Sequence, residues 1–170
     1  MKSKRHIVIS ANVSWYLFNF RKNTIKKLIS MGYKVTIVSS RDHTSEKLAS
    51  LGCSTININL ESSGKNPFKD LLIIFNLYRI YSNISPDLIL NFTPKINIYS
   101  TLAARPLKIK CINNIAGLGT IFIEKNLLSR FVGCLYRFSQ PLAHKVFFQN
   151  KEDQSYFVDN GWIKKEKSIR

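Results

Sequence analysis

Short apolar runs alternate with longer segments of helical period along the whole chain. Stretches such as Ile7-Val8-Ile9 and Leu88-Ile89-Leu90 carry no polar residue at alternate positions, so the strands they form are expected to be buried on both faces. The pattern predicts strands at 6–11, 34–40, 54–60, 87–93, 109–115 and 145–149, and helices at 20–31, 45–51, 68–83, 96–104, 127–143 and 151–160. Gly32, Gly52 and Gly161 stand where helices should end, and Asn150 with Asp153 three residues on has the form of a helix N-cap. Strand–helix alternation with right-handed crossovers builds a parallel, doubly wound α/β sheet with helices on both faces, a Rossmann-like fold. No linker rich in Gly, Ser or Pro interrupts it, and no repeat is visible, so one domain is expected over 1–170.

The helix at 68–83 has an unusual distribution. Its polar residues Lys69, Asn76, Arg79 and Asn83 fall on one narrow stripe, while Leu71, Leu72, Ile73, Ile74, Phe75, Leu77, Tyr78, Ile80 and Tyr81 surround the rest. Such a helix is either wedged between the sheet and a neighbouring helix or turned toward a partner or a membrane surface.

Composition narrows the class. The chain has 170 residues, 45% of them hydrophobic, which suits one folded domain and not a disordered basic tail. The unbroken apolar run at 71–75 falls far short of the roughly 20 residues needed to span a bilayer. Lys2, Lys4 and Arg5 ahead of Ile7-Val8-Ile9 imitate a secretory signal, but Asn12 and Ser14 break the run and a cytoplasmic protein is expected. Cys53, Cys111 and Cys134 read as reduced core residues. Lys+Arg 26 against Asp+Glu 10 gives a formal charge of +16. Richness in Lys, Ile and Asn fits an AT-rich coding sequence and explains part of that excess. The remainder fits a solvated basic surface, an anionic membrane or nucleic acid.

In an open parallel sheet the ligand crevice lies beyond the carboxyl ends of the strands, where strand order reverses. The loops expected there are 12–19, 94–99 and 116–125. The first supplies Asn12 and leads to Arg21, expected in the first turn of a helix whose free N–H groups would receive an anion. The second presents Lys95 and Asn97, and the third contains Gly117-Leu118-Gly119, where missing side chains allow a tight turn or close backbone approach to a ligand. Gly117 and Gly119 lack the third glycine of a dinucleotide fingerprint, and no GxxxxGK[ST] or GxSxG motif is present. His6, His43 and His144 stand far apart with no partner at ligand spacing, so no metal site is expected.

Taken in order, several segments resemble the amino-terminal half of family 4 glycosyltransferases that build bacterial surface polysaccharides and protein-linked glycans. They are Asn12-Val13-Ser14-Trp15-Tyr16-Leu17-Phe18-Asn19-Phe20-Arg21, Met31-Gly32-Tyr33-Lys34-Val35, Asn66-Pro67-Phe68-Lys69-Asp70-Leu71, Pro86-Asp87-Leu88-Ile89, Pro94-Lys95-Ile96-Asn97-Ile98-Tyr99, Asn114-Ile115-Ala116-Gly117-Leu118-Gly119 and Phe148-Gln149-Asn150. The likeness covers nearly the whole chain. It implies one half of a two-domain GT-B fold, in which this domain binds the acceptor and a carboxy-terminal domain, absent from this chain, holds the donor.

The resemblance further implies a retaining, metal-independent transfer of a hexosyl or N-acetylhexosaminyl unit in surface glycan synthesis, such as capsule or O-antigen. The donor is a UDP- or GDP-linked sugar acting as co-substrate, with no other cofactor. The acceptor is polyprenyl-diphosphate-linked or a glycan, met on the inner face of the cell membrane. Asn12, Arg21, Lys95, Asn97, Gly117 and Gly119 would face the acceptor diphosphate or the leaving phosphate, with Lys95 in an electrostatic role. On this reading the isolated chain is incomplete without a donor-binding domain or partner chain. The alternative is a non-catalytic acceptor-binding scaffold that recruits such a chain, and a basic nucleic-acid binder rests on charge alone.

Overall fold

The first strand divides the core in two. In β1 (His6–Val13) Val8 packs into one apolar cluster while Ile7, Ile9 and Ala11 pack into another, because successive side chains point to opposite faces. The computed structural model describes residues 5–60, 67–117 and 127–170. After β1 come α1 (Ser14–Ser30), β2 (Lys34–Ser40), α2 (Ser45–Ala49), β3 (Ser54–Asn57), α3 (Pro67–Ile84), β4 (Leu88–Asn91) and α4 (Pro94–Ala104). Then follow β5 (Lys110–Ile115), α5 (Leu127–Ser139), β6 (Lys145–Phe148), α6 (Lys151–Asp159) and β7 (Ser168–Ile169), with short 3-10 turns at Gln140–Leu142 and Lys165–Lys167.

Every strand pair is parallel, in the order β3-β2-β1-β4-β5-β6-β7. The doubly wound α/β sheet is therefore the fold. From β1 the chain steps outward to β2 and β3, then α3 carries it back across to β4 on the other side of β1. Right-handed crossovers place α1 and α2 on one face and α3 to α6 on the other. The two cores agree: Leu17, Ile25 and Leu48 line the first, and Leu77, Tyr81, Ile96, Tyr136 and Phe157 line the second. Each such fully buried side chain contributes roughly 1.5–3 kcal/mol of apolar burial.

Local signals match the observed caps. Gly32, Gly52 and Gly161 take φ of 85°, 95° and 68° behind α1, α2 and α6, a backbone region that only glycine enters without strain. The N–H of Asp153 donates to Asn150 Oδ1 at 2.7 Å, and Asn150 Nδ2 donates to Asp153 Oδ2 at 2.9 Å, closing the start of α6.

Three expectations need correction. Residues 14–19 are the opening turns of α1 and not a loop, because Ser14 anchors to Ser39 Oγ at 2.8 Å while Leu17 and Ile25 share the buried face. The helix expected over 127–143 ends at Ser139, since Pro141 stands in the 3-10 turn that follows. Cys53 and Cys111 are buried, and burial pushes their thiols up to about 11 and about 12, but Cys134 lies exposed on α5. Among the described residues no helix is long and apolar enough to cross a membrane.

Candidate functional site

Strand order reverses between β1 and β4, so the crevice opens where their carboxyl tips part. A reciprocal clip joins those tips. The N–H of Asn12 donates to Thr93 Oγ1 at 3.0 Å, and the Thr93 hydroxyl donates to Asn12 Oδ1 at 2.8 Å. Thr93 is also the N-cap residue of α4. With its hydroxyl turned to Asn12 it makes no side-chain cap to α4, whose dipole turns its positive end toward the crevice. Pro94 at the first helical position fixes the entry angle and has no N–H to satisfy.

Two cations border that opening. Arg21, in the second turn of α1, reaches across the sheet edge so that its guanidinium lies 4.5 Å from the Phe92 ring centroid. Its Nη2 donates to Asn114 Oδ1 at 3.3 Å and to the Tyr16 hydroxyl at 3.4 Å, both long, and its buried Nε has no partner. Among the described residues no carboxylate pairs with it, so its charge is uncompensated. Lys95, in the first turn of α4, holds its Nζ 3.8 Å from Asp70 Oδ1 at the start of α3. The Tyr99 hydroxyl also bonds Asp70, and burial, that bond and the carboxylate's charge raise the Tyr99 pKa above its ordinary value.

Behind the tips lies a buried layer of amides. Asn113 Oδ1 accepts from Asn91 Nδ2 at 2.8 Å, and Asn113 Nδ2 donates to Gln140 Oε1 at 2.8 Å and to the Asn97 carbonyl at 3.1 Å. Asn97 is 1% exposed; its Nδ2 donates to the Asn114 carbonyl at 3.0 Å and its Oδ1 is buried without a partner. The expected loop contact of Asn97 with a ligand is thus replaced by an inward position on α4, where it holds β5. Gly117, two residues past β5, has φ of 128°, a conformation that disfavours any side chain. Gly119 and the rest of the expected loop from 118 to 125 lie outside the described residues. The structure therefore gathers Asn12, Arg21 and Lys95 around the β1–β4 tips, with Gly117 at the tip of the next strand.

The anion seat expected at the first turn of α1 is filled by the chain itself. The Trp15 N–H donates to Asp42 Oδ2 at 2.7 Å, and Asp42 Oδ1 accepts from the Thr44 N–H at 2.8 Å and the Thr44 hydroxyl at 2.6 Å. Burial, the largest single influence, favours the neutral acid, but the bonds from Thr44 and Trp15 and the nearby His43 together hold Asp42 below its ordinary value. A lowered carboxylate pKa contributes stability that is present above pH 3.8 and is lost as pH falls through the folded value. Asp42→Ala should cost about 1 kcal/mol and lower the melting temperature by about 3 °C at neutral pH. The gap between variant and wild type should close as melting is followed down to pH 3, and a constant gap would remove the carboxylate from the account.

Sequence reasoning missed Asp42, Asp70, Phe92, Thr93 and Asn114, all of which act through tertiary contacts. The available signal was Asp70, which stands alone as a carboxylate among the residues of α3, α4 and α5.

A parallel sheet with an open, cation-bordered crevice at its switch point defines a Rossmann-like domain. The chain belongs to the glycosyl transferase 4-like family, which it matches over residues 6–150. It is 30% identical over 156 residues to the N,N'-diacetylbacillosaminyl-diphospho-undecaprenol alpha-1,3-N-acetylgalactosaminyltransferase of Campylobacter jejuni, a match covering 89% of this chain and 41% of that protein. Among solved structures, a glycosyltransferase from Rickettsia africae superposes with a TM-score of 0.64 at 16% identity, over 98% of this chain and 42% of the other. A putative UDP-N-acetylglucosamine 2-epimerase from Listeria monocytogenes gives 0.69 at 12% identity, over 98% and 44%. These structural likenesses show the shared fold. The chain spans about two-fifths of the length of these relatives.

Proposed function

We propose that this chain is the acceptor-side domain of a glycosyltransferase that moves a hexosyl or N-acetylhexosaminyl unit from a UDP- or GDP-linked sugar to a lipid-linked diphosphate sugar. The observation that carries the reading is the N-terminus of α4, which the Thr93 side chain does not cap, bordered by Arg21 and Lys95 at the strand-order reversal. A diphosphate carries two adjacent anionic groups and matches a helix N-terminus with a cation on either side. The named Campylobacter relative acts on an undecaprenyl diphosphate acceptor, which supports a substrate of that kind.

In this reading Arg21, Lys95 and the N–H groups of α4 hold the acceptor diphosphate and fix the orientation of its sugar hydroxyl. Asn12, Thr93 and Asn97 position the tips and touch no substrate. A donor-binding domain, on further chain or another polypeptide, faces this edge and brings the nucleotide sugar; transfer is retaining and needs no metal. The domain works at the inner face of the cell membrane, where such acceptors are found.

Saturable binding of undecaprenyl-diphosphate N-acetylhexosamine in mixed micelles tests the reading, and equal affinity for the same sugar on an uncharged polyprenol would overturn it. In an enzyme completed with a donor-binding domain, Lys95→Ala should slow transfer about tenfold, a moderate loss because Asp70 already offsets part of its charge. Undiminished transfer would take Lys95 out of the seat.

A further inference from the structure

Two depressions run together along the amino-terminal edge of the sheet, the edge opposite the β1–β4 tips. The larger, about 740 Å³, lies at the starts of β1, β4 and β5, and the smaller, about 220 Å³, at the starts of β5 and β6. Lys108, Ile109 and Lys110 line both, so the two form one groove. Its size is that of a small-molecule site. β5 is 6 residues long, which sets the groove roughly 20 Å from the crevice.

The two lobes differ in chemistry. The smaller gathers Arg105, Lys108, Lys110, His144 and Lys167 with no carboxylate. Lys167 Nζ donates to the Pro141 carbonyl at 2.8 Å and to the Ala143 carbonyl at 3.1 Å, which holds the ammonium in place and leaves its third proton for a ligand. Among the described residues no acidic side chain pairs with Arg105, Lys108, Lys110 or Lys167. The larger lobe, which Arg5 also lines, adds the apolar Pro86, Leu107 and Ile109, the hydroxyls of Ser82 and Ser85, and the Asp87 carboxylate. Cations at one end, and a carboxylate among hydroxyls and apolar groups at the other, match a phosphorylated nucleoside. Phosphates are drawn to the first, and ribose hydroxyls or a base amino group to the second.

The backbone points the same way. Among the described residues Ser85 and Lys108 are the non-glycine residues with positive φ, 41° and 56°, and both line the larger lobe. Glycine or asparagine would hold such a conformation with less strain, and strain kept at a cleft indicates a use for the side chain that stands there. The negative end of the α4 dipole attracts a cation such as Arg105. It does not account for Lys110 on β5 or for Lys167 from the far end of the chain.

We propose that this groove binds a nucleoside polyphosphate, with the phosphates in the smaller lobe and the nucleoside in the larger. The site stands apart from the function proposed above, because Asn12, Arg21 and Lys95 do not line it.

Calorimetric titration of the whole chain with ATP tests it. Wild type should bind ATP saturably, inorganic tripolyphosphate at least about tenfold more weakly, and adenosine without measurable heat. Lys110→Gln and Lys108→Asn should each weaken ATP about tenfold, the loss of one charge-assisted contact. Lys108→Asn should melt no lower than wild type, because asparagine accepts the left-handed backbone. Arg21→Ala, in the crevice, should bind ATP as wild type does. The proposal fails if wild type shows no saturable binding, or if both groove variants keep wild-type affinity. It also fails if Arg21→Ala loses ATP, which would place the nucleotide in the crevice. Equal affinity for tripolyphosphate would make the ligand a bare polyanion, and a single-stranded RNA that outcompetes ATP would make it a nucleic acid; either result overturns the assignment. A chain that binds ATP in the groove but no diphosphate-linked sugar upholds this site and sinks the enzymatic reading alone.

Discussion

Arg21→Ala is expected to weaken binding of a diphosphate-linked sugar by about 10- to 100-fold, the loss of one or two charge-assisted hydrogen bonds of about 1.5–3 kcal/mol in total. The guanidinium is held ready: stacked on Phe92, tethered by two long bonds to Asn114 and Tyr16, and unpaired with any carboxylate among the described residues. A cation kept in this way has lost water without gaining a counter-ion, so an arriving phosphate recovers what desolvation removed. Arg21→Lys should recover only part of the loss, because an ammonium neither stacks as a plane nor presents a two-pronged donor. Calorimetric titration with a short-chain acceptor reads the effect, and wild-type affinity in the alanine variant would reduce Arg21 to a cover for Phe92.

Asn113→Ala should produce the largest stability loss of any substitution considered, about 3–5 kcal/mol, or about 10 °C in melting temperature. One side chain here satisfies the Asn91 amide, the Gln140 carbonyl and the backbone carbonyl of Asn97, all within a fully buried layer. Truncation strands those groups where no water can replace the missing partner, and the penalty of orphaned polar groups exceeds the worth of the bonds themselves. Thermal melting followed by circular dichroism measures it, and a drop under about 3 °C would mean the layer admits water and is softer than its burial indicates.

Much of this architecture was legible because burial on both faces leaves an unbroken apolar signature. The boundaries expected for β2 coincide with Lys34–Ser40, and those of the other strands fall within a few residues. The start of α1 was hidden by its aromatics. Trp15 and Phe20 are exposed and meet each other edge-on at 5.7 Å, so they interrupt the apolar period that would have betrayed a helix. The two-residue β7 is too short to carry a pattern, and only its pairing with β6 defines it. At the site, the placing of Asn12 and Lys95 beyond strand tips could be read in advance, whereas Arg21, expected in the first turn of its helix, stands in the second turn of α1 because that helix begins at Ser14. Their partners could not: Arg21 and Asn114 are 93 residues apart in sequence, and Asp70 meets Lys95 only because α3 and α4 lie side by side.

The clip between Asn12 and Thr93 has one more consequence. Both strand tips are fastened before any ligand arrives, and the groups behind them are immobilised by packing. The seat is consequently shaped in advance, and on the function proposed above the ordering that accompanies association falls mainly on the long, supple visitor. Recognition at this edge would then work as a mould does, choosing by fit and polarity.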